Sequence, residues 1–274
     1  MYAYNNNLYN NFLNDNPDFY RFNVGGLDFI WNNEWKTVGI NLSGGADSAM
    51  LAYTIASHIK KNNLNCRIHA INYNRCWLTR PWQKDTGTRV FNYLQDMFKD
   101  IIVERHITYV PPEIEHSQIG HSIKLKSGEM LAGEAVISSS FNNYCAHHYN
   151  LDVVFNATTA NPPDAGPNRV IERDLDLNKI AFKQLFSVRL PIKYFAYRPL
   201  LYVMKNWVYS QYIENNILEL YNTTMSCEGD LTIHDNIKSQ INKLEDYSSN
   251  MKIKPCGQCW WCWERKWAED SINV

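Results

Sequence analysis

Apolar positions along the chain fall into short runs of strand length separated by stretches with helical spacing. Thr37-Val38-Gly39-Ile40-Asn41-Leu42 is a short, β-branched run, followed by Ser43-Gly44-Gly45-Ala46-Asp47-Ser48 and then a helix pattern from Ala49 to Lys60. That order predicts a buried strand turning into a helix through a tight loop. Cys66 to Tyr73 alternates weakly and reads as a second parallel strand; Pro81 opens a helix pattern carrying Val90, Phe91, Leu94 and Phe98, and Ile101 to Tyr109 makes a third strand. Strand, helix, strand, helix, strand predicts an α/β fold with a doubly wound parallel sheet. Ligands of such sheets sit beyond the carboxyl ends of the strands, where Ser43 to Ser48 and the segment Tyr73 to Trp77 would both lie.

Further along, Pro111 to Ser127 has no period and predicts a loop over the site, and Gly128 to Tyr149 predicts a long helix. Asp152 to Thr159 is a fourth strand signal, and Tyr197-Arg198-Pro199-Leu200-Leu201 introduces a helix from Tyr202 to Asn215. The Asn- and aromatic-rich start, residues 1–35, reads as an N-terminal extension with a hairpin between Phe22 and Trp31 around Gly25-Gly26. Residues 36–220 would then form the α/β domain and 221–274 a small cysteine-bearing C-terminal region.

Composition narrows the classes. With 274 residues, 45% hydrophobic and 20% charged, the chain has the make-up of a globular protein with a substantial core. Lys+Arg 27 against Asp+Glu 28 leaves a net charge of -1, which supplies no global field for a nucleic acid. No run of about 18 apolar residues occurs, and Met1 to Asn7 lacks the charged and apolar blocks of a signal peptide. A cytoplasmic location away from membranes is therefore expected, and in a reducing compartment seven cysteines point to metal rather than disulfides.

The chemistry concentrates in two places. Ser43 to Ser48 would aim backbone N–H groups at one spot at the positive end of a helix dipole, with Ser43 and Ser48 as further donors. Asp47 is out of place beside phosphate unless a divalent cation lies between, so the loop predicts ATP with Mg2+ rather than a bare anion. No Gly-Lys-Ser/Thr triplet is present to make it a GTPase-type loop. Lys205, in the first turn of a helix whose dipole disfavours it, fits a role against phosphate charge. The two-proline loop Asn161 to Gly166 offers Asn161 and Asp164 as substrate contacts, with a plain turn as the equal alternative. Cys256, Cys259 and Cys262 have C-x-x-C-x-x-C spacing, and Cys227 supplies a fourth thiol. Four thiolates suit Zn2+ in a closed structural site; an iron–sulfur cluster is the competitor. Cys66, Cys76 and Cys145 read as small buried hydrophobes, and His147 and His148 as a solvated helix end.

Ser43-Gly44-Gly45-Ala46-Asp47-Ser48 matches the Ser-Gly-Gly-X-Asp-Ser loop of the ATP pyrophosphatase superfamily, called the PP-loop. Together with Pro199, Leu200 and Lys205, with Ser226-Cys227-Glu228, and with Cys256, Gly257, Cys259 and Cys262, the chain resembles the 7-cyano-7-deazaguanine synthase family over about residues 37 to 268. The resemblance implies a C–N ligase of queuosine biosynthesis. It would adenylate a small carboxylate, 7-carboxy-7-deazaguanine or a relative, let ammonia displace AMP to an amide, and dehydrate the amide to a nitrile with a second ATP. It also implies a structural zinc on the four cysteines and a homodimer. The family's Tyr-Pro-Asp-Cys-Arg is replaced here by Asn-Pro-Pro-Asp-Ala-Gly at 161–166, and its Pro-Gly-Arg-Asn is absent, the nearest stretch being Ala132-Gly133-Glu134. Two other readings stay open: an adenylating enzyme that modifies RNA, and a non-catalytic nucleotide-binding module organised by zinc.

Overall fold

The structure, a computed structural model, describes residues 7–75, 79–117, 123–124, 130–131, 133–163, 182–189, 193–229, 248, 251 and 253–272. In chain order its elements are α1 (Asn7–Asp15), β1 (Phe19–Val24), β2 (Leu27–Asn32), β3 (Thr37–Asn41), α2 (Ala46–Lys61), β4 (Arg67–Asn74), α3 (Gln83–Met97) and β5 (Ile102–Tyr109). They continue with α4 (Pro112–Ser117), β6 (Ile123–Lys124), β7 (Met130–Leu131), α5 (Glu134–His148), β8 (Val153–Phe155), α6 (Phe182–Leu185), β9 (Phe186–Arg189) and β10 (Tyr194–Tyr197). The described chain closes with α7 (Lys205–Glu214), α8 (Leu218–Thr223) and α9 (Trp260–Asp270).

The main sheet has six strands in the order β5-β4-β3-β8-β10-β9, all parallel except for the β10–β9 pair. It is the doubly wound α/β sheet that the alternation of strand and helix patterns predicts. Central β3 and β8 are apolar because both their faces are covered. From β3 the chain moves outward to β4 and β5, then returns to the other side of β3 as β8. The strand order therefore reverses between β3 and β8, and the crevice at their carboxyl ends is flanked by Asn41 and Asn156.

The predicted hairpin forms as β1 and β2, turning at Gly25 and Gly26 with φ of +53° and +79°. Its buried strand β2 enters the main core through Phe29, Ile30 and Trp31, and the Ile30 N–H donates to Tyr197 Oη at 2.9 Å. Phe22 stacks on His58 of α2 with ring centroids 3.6 Å apart, fixing the hairpin to the first helix of the sheet.

Several boundaries differ from the sequence expectation. The long helix starts at Glu134, not Gly128, because the extended Gly133 is its N-cap and Met130-Leu131 pairs with Ile123-Lys124 as β7 with β6. The stretch expected as loop from Pro111 holds α4 at its start. The fourth strand ends after Phe155, where the Asn156 side chain accepts the Thr158 N–H at 3.0 Å and closes a turn. The late helix begins at Lys205 rather than Tyr202. α1 and the β9–β10 pair carry no local signal strong enough to have been read. Among the described residues no helix is long and apolar enough to cross a membrane.

Candidate functional site

β3 delivers the chain to Ser43, and α2 starts three residues later with Gly45 as an extended N-cap that offers no capping side chain. The first-turn amides of α2 therefore keep their donor capacity for an anion. Gly44 has φ +85°, and a Cβ there would lie 2.8 Å from the backbone nitrogen of Gly87 in α3, so the loop and the helix approach at glycine on both sides. The serines hold the loop's shape: Ser43 and Ser48 hydroxyls are 3.1 Å apart, the Ser43 N–H donates to Ser48 Oγ, and Ser48 Oγ donates to the Gly45 carbonyl. The Leu42 carbonyl at the loop's entry accepts from the Asn72 amide, whose oxygen in turn accepts from Arg105 Nε at 2.6 Å.

The loop forms one wall of a cavity of about 300 Å³. Ser43, Gly45, Asp47 and Ser48 line it together with Lys205, with Arg75, Arg80 and Gln83, with Asn156 to Thr159, and with Ser226 and Trp261. Every loop position the sequence singled out is at or beside this cavity, and Lys205 joins them from α7. Lys205 is almost wholly buried; its Nζ lies 3.0 Å from Asp47 Oδ2 and 3.1 Å from Glu264 Oε2. Two carboxylates around one ammonium leave a net negative charge that a divalent cation at Asp47 would reverse, so the donor set fits an ion such as Mg2+. Burial, and then the Asp47 carboxylate, push the Tyr212 phenol well above 10; its hydroxyl donates to the Ala46 carbonyl at 2.7 Å and ties α7 to α2.

Glu264 was not read from the sequence. It sits on α9 among Trp260 and Ala268, spaced at four residues on the buried face, and a glutamate on an otherwise apolar stripe was the signal that could have found it. Asn161 is buried just past the segment that lines the cavity, and Asp164 lies outside the described residues. Cys76 and the Trp77 end of the strand-end segment also lie outside them. His147 and His148 end α5 on the surface, as expected. Cys66 and Cys145 are buried, and burial raises each thiol to about 12.

The four cysteines converge. Their sulfurs all lie within 4.8 Å of one another, and Cys256 Sγ is 3.8 Å from Cys262 Sγ. A single ion with bonds of about 2.3 Å in a tetrahedron sets its sulfurs about 3.8 Å apart, whereas a four-iron cluster spreads them over the corners of a larger cube. Backbone N–H groups aim at the sulfurs: Cys256 N–H at Cys227 Sγ and Cys259 N–H at Cys256 Sγ, both 3.2 Å, and Glu228 N–H at Cys259 Sγ, 3.4 Å. Such donors stabilise thiolates, so the chemistry of the set fits one metal ion.

This centre is built into the cavity wall. The Met225 N–H donates to the Gly44 carbonyl at 3.1 Å, the Arg80 N–H donates to the Glu228 carbonyl at 2.9 Å, and Trp82 packs against Cys227, Cys256 and Cys259. Trp261, between two of the cysteines, turns toward Arg80, whose guanidinium carbon is 5.5 Å from its ring centroid. Arg265 stacks at 3.9 Å on Tyr221 and donates to the Tyr221 and Thr224 carbonyls, locking α9 onto α8.

No protein-family model matches the chain. No curated protein matches it either. Among solved structures, the chain is similar to the U34-tRNA thiolase NcsA of Methanococcus maripaludis, described with its [4Fe-4S] cluster, with a TM-score of 0.41 and 17% identity over 86% of this chain and 72% of that one. It is also similar to a phosphoadenylyl-sulfate reductase from Candida auris, with a TM-score of 0.37 and 12% identity over 72% of this chain and 82% of that one. A third is the NMN synthetase of Francisella tularensis, with a TM-score of 0.35 and 12% identity over 88% of each chain.

Proposed function

We propose that the chain is a PP-loop enzyme that splits ATP between its α and β phosphates and transfers the adenylyl group to a small carboxylate. The observation that carries this reading is the convergence of Ser43 to Ser48, Asp47 and Lys205 on one cavity at the sheet's switch point. A carboxylate does not react with ammonia because oxide would have to leave; as an acyl-adenylate it has AMP as its leaving group. The backbone amides from Gly44 to Ser48 would hold the departing pyrophosphate, and the Lys205 ammonium would neutralise charge as the bond to the α-phosphorus breaks. Asp47 would hold Mg2+, which when bound would supply neutralisation of the phosphate charge. Glu264 fixes the lysine, and the neighbouring Arg75 and Arg80 add positive charge to the same wall.

Following the motif resemblance, the acceptor is 7-carboxy-7-deazaguanine or a relative, with ammonia as the second substrate and an amide or nitrile as product. Zn2+ is the ion we assign to the four cysteines, in a closed structural role, because a four-sulfur shell leaves no position for substrate. Incubation with Mg-ATP, ammonia and 7-carboxy-7-deazaguanine, read by mass spectrometry, tests the acceptor: a nitrile or amide product is expected. Conversion of the acceptor to neither, with ATP still bound, would instead favour the non-catalytic alternative.

A further inference from the structure

The switch-point crevice has a second lobe. On the α5 side of the sheet lies a pocket of about 210 Å³ that shares Asn41 and Asn156 with the phosphate-side cavity, so the two pockets meet at the carboxyl ends of β3 and β8. Its floor is polar: Ser138 and Ser139 of α5 face it. Its far wall carries Arg189, at the end of β9, and Arg198, just after β10. Antiparallel pairing of those strands sets Arg189 opposite Tyr194, at the other end of the pair from Arg198, and both arginines line the one pocket. Among the described residues neither guanidinium has an ion-pair partner, and burial, then repulsion from Arg189, lowers the pKa of Arg198 from 12.5. Two like charges lining one concave surface beside hydroxyl and amide groups lower their mutual repulsion by binding an anion.

Resting on the adenylation reading above, we propose that this lobe is the acceptor subsite, in which Arg189 and Arg198 grip a small carboxylate and present it past Asn41 and Asn156 to the nucleotide. A guanidinium fork matches a planar carboxylate with two parallel hydrogen bonds, which fixes orientation as well as charge. The shared asparagines give both lobes a neutral, hydrogen-bonding boundary across which the acceptor and the α-phosphorus can approach. The pocket's size suits a compact acceptor rather than a polymer.

Calorimetric titration of the full chain, in the presence of Mg2+ and a non-hydrolysable α,β-methylene ATP analogue, tests the assignment. The probes are 7-carboxy-7-deazaguanine, nicotinate, benzoate and orthophosphate. At least one carboxylate should bind, and Arg189→Gln and Arg198→Gln should each weaken it by about tenfold or more. Arg198→Lys, which keeps the charge and loses the fork, should fall between, while affinity for the nucleotide analogue stays within about twofold in all three. Thermal melts of the same variants separate lost binding from lost fold. The assignment is overturned if no carboxylate binds, if binding is indifferent to both arginines, or if only orthophosphate responds to them. Arginine-dependent carboxylate binding without AMP formation would end the adenylation reading and leave the subsite; AMP formation indifferent to both arginines would end the subsite alone.

Discussion

Lys205 holds its ammonium between Asp47 and Glu264 almost out of reach of water, and its removal would leave two carboxylates facing each other in the interior. Lys205→Met should therefore cut turnover by about 100-fold or more and destabilise the fold by roughly 3–5 kcal/mol, measured by steady-state kinetics and urea denaturation. Gly44→Ala tests the loop separately, because a methyl group at φ +85° would sit 2.8 Å from the Gly87 nitrogen. Its expected outcome is lost Mg-ATP affinity in calorimetry with a native-like far-ultraviolet spectrum; unchanged affinity would remove the loop from nucleotide binding. At this scale the sequence was most readable where function is local. The serine-glycine loop and the cysteine triplet are contiguous, and Lys205 follows its Pro-Leu pair by a few residues. Glu264 escaped because its partner lies on another helix and nothing in its own neighbourhood names lysine. Arg189 and Arg198 escaped because they come to line one pocket only once β9 and β10 are in place on the sheet.

Among the elements, α9 links the four-cysteine cluster to the loop, since Glu264 follows Cys262 by two residues on the same helix and pairs with Lys205. Stripping the ion with a chelator should lower the melting temperature and, by releasing α9 from Lys205, abolish turnover in the same transition. Full activity in metal-free protein would break that link. The hairpin and α2 carry a different sensitivity. Burial, then Lys61, lowers His58 to about 4 from 6.5, with its Nε2 2.8 Å from Tyr20 Oη and the Phe22 ring stacked on it. The unfolded chain takes up a proton near pH 6.5 that the folded one refuses down to about pH 4, so stability is full above that window and falls as the pH drops through it. Urea midpoints at pH 7.5 and pH 5 should differ in the native protein and converge in His58→Gln. The central strands and α2 were legible because their apolar runs end at loop residues with strong conformational preferences. The start of α5 was not, because Gly128 to Leu131 reads as helix until a partner strand pairs with Met130 and Leu131.

The whole molecule arranges three things around one crevice. The loop and α2 lie beyond one side of the switch point, the arginine lobe beyond the other, and the cysteine cluster is tied to the loop side through Met225, Arg80 and Glu264. The sequence pattern led to the doubly wound sheet and to its loaded edge, because alternation of strand and helix fixes both. It did not reveal that the C-terminal region packs into the cavity wall, which depends on contacts between segments far apart in the chain. The proposed reading implies cleavage at one bond of the nucleotide: with the terminal phosphates held by the loop, the α-phosphorus would be the atom left open to the acceptor. Anion-exchange analysis of the products formed from Mg-ATP and 7-carboxy-7-deazaguanine, with ammonia present, reads that bond directly. AMP and pyrophosphate in equal amounts are the predicted result, and ADP with orthophosphate would contradict it.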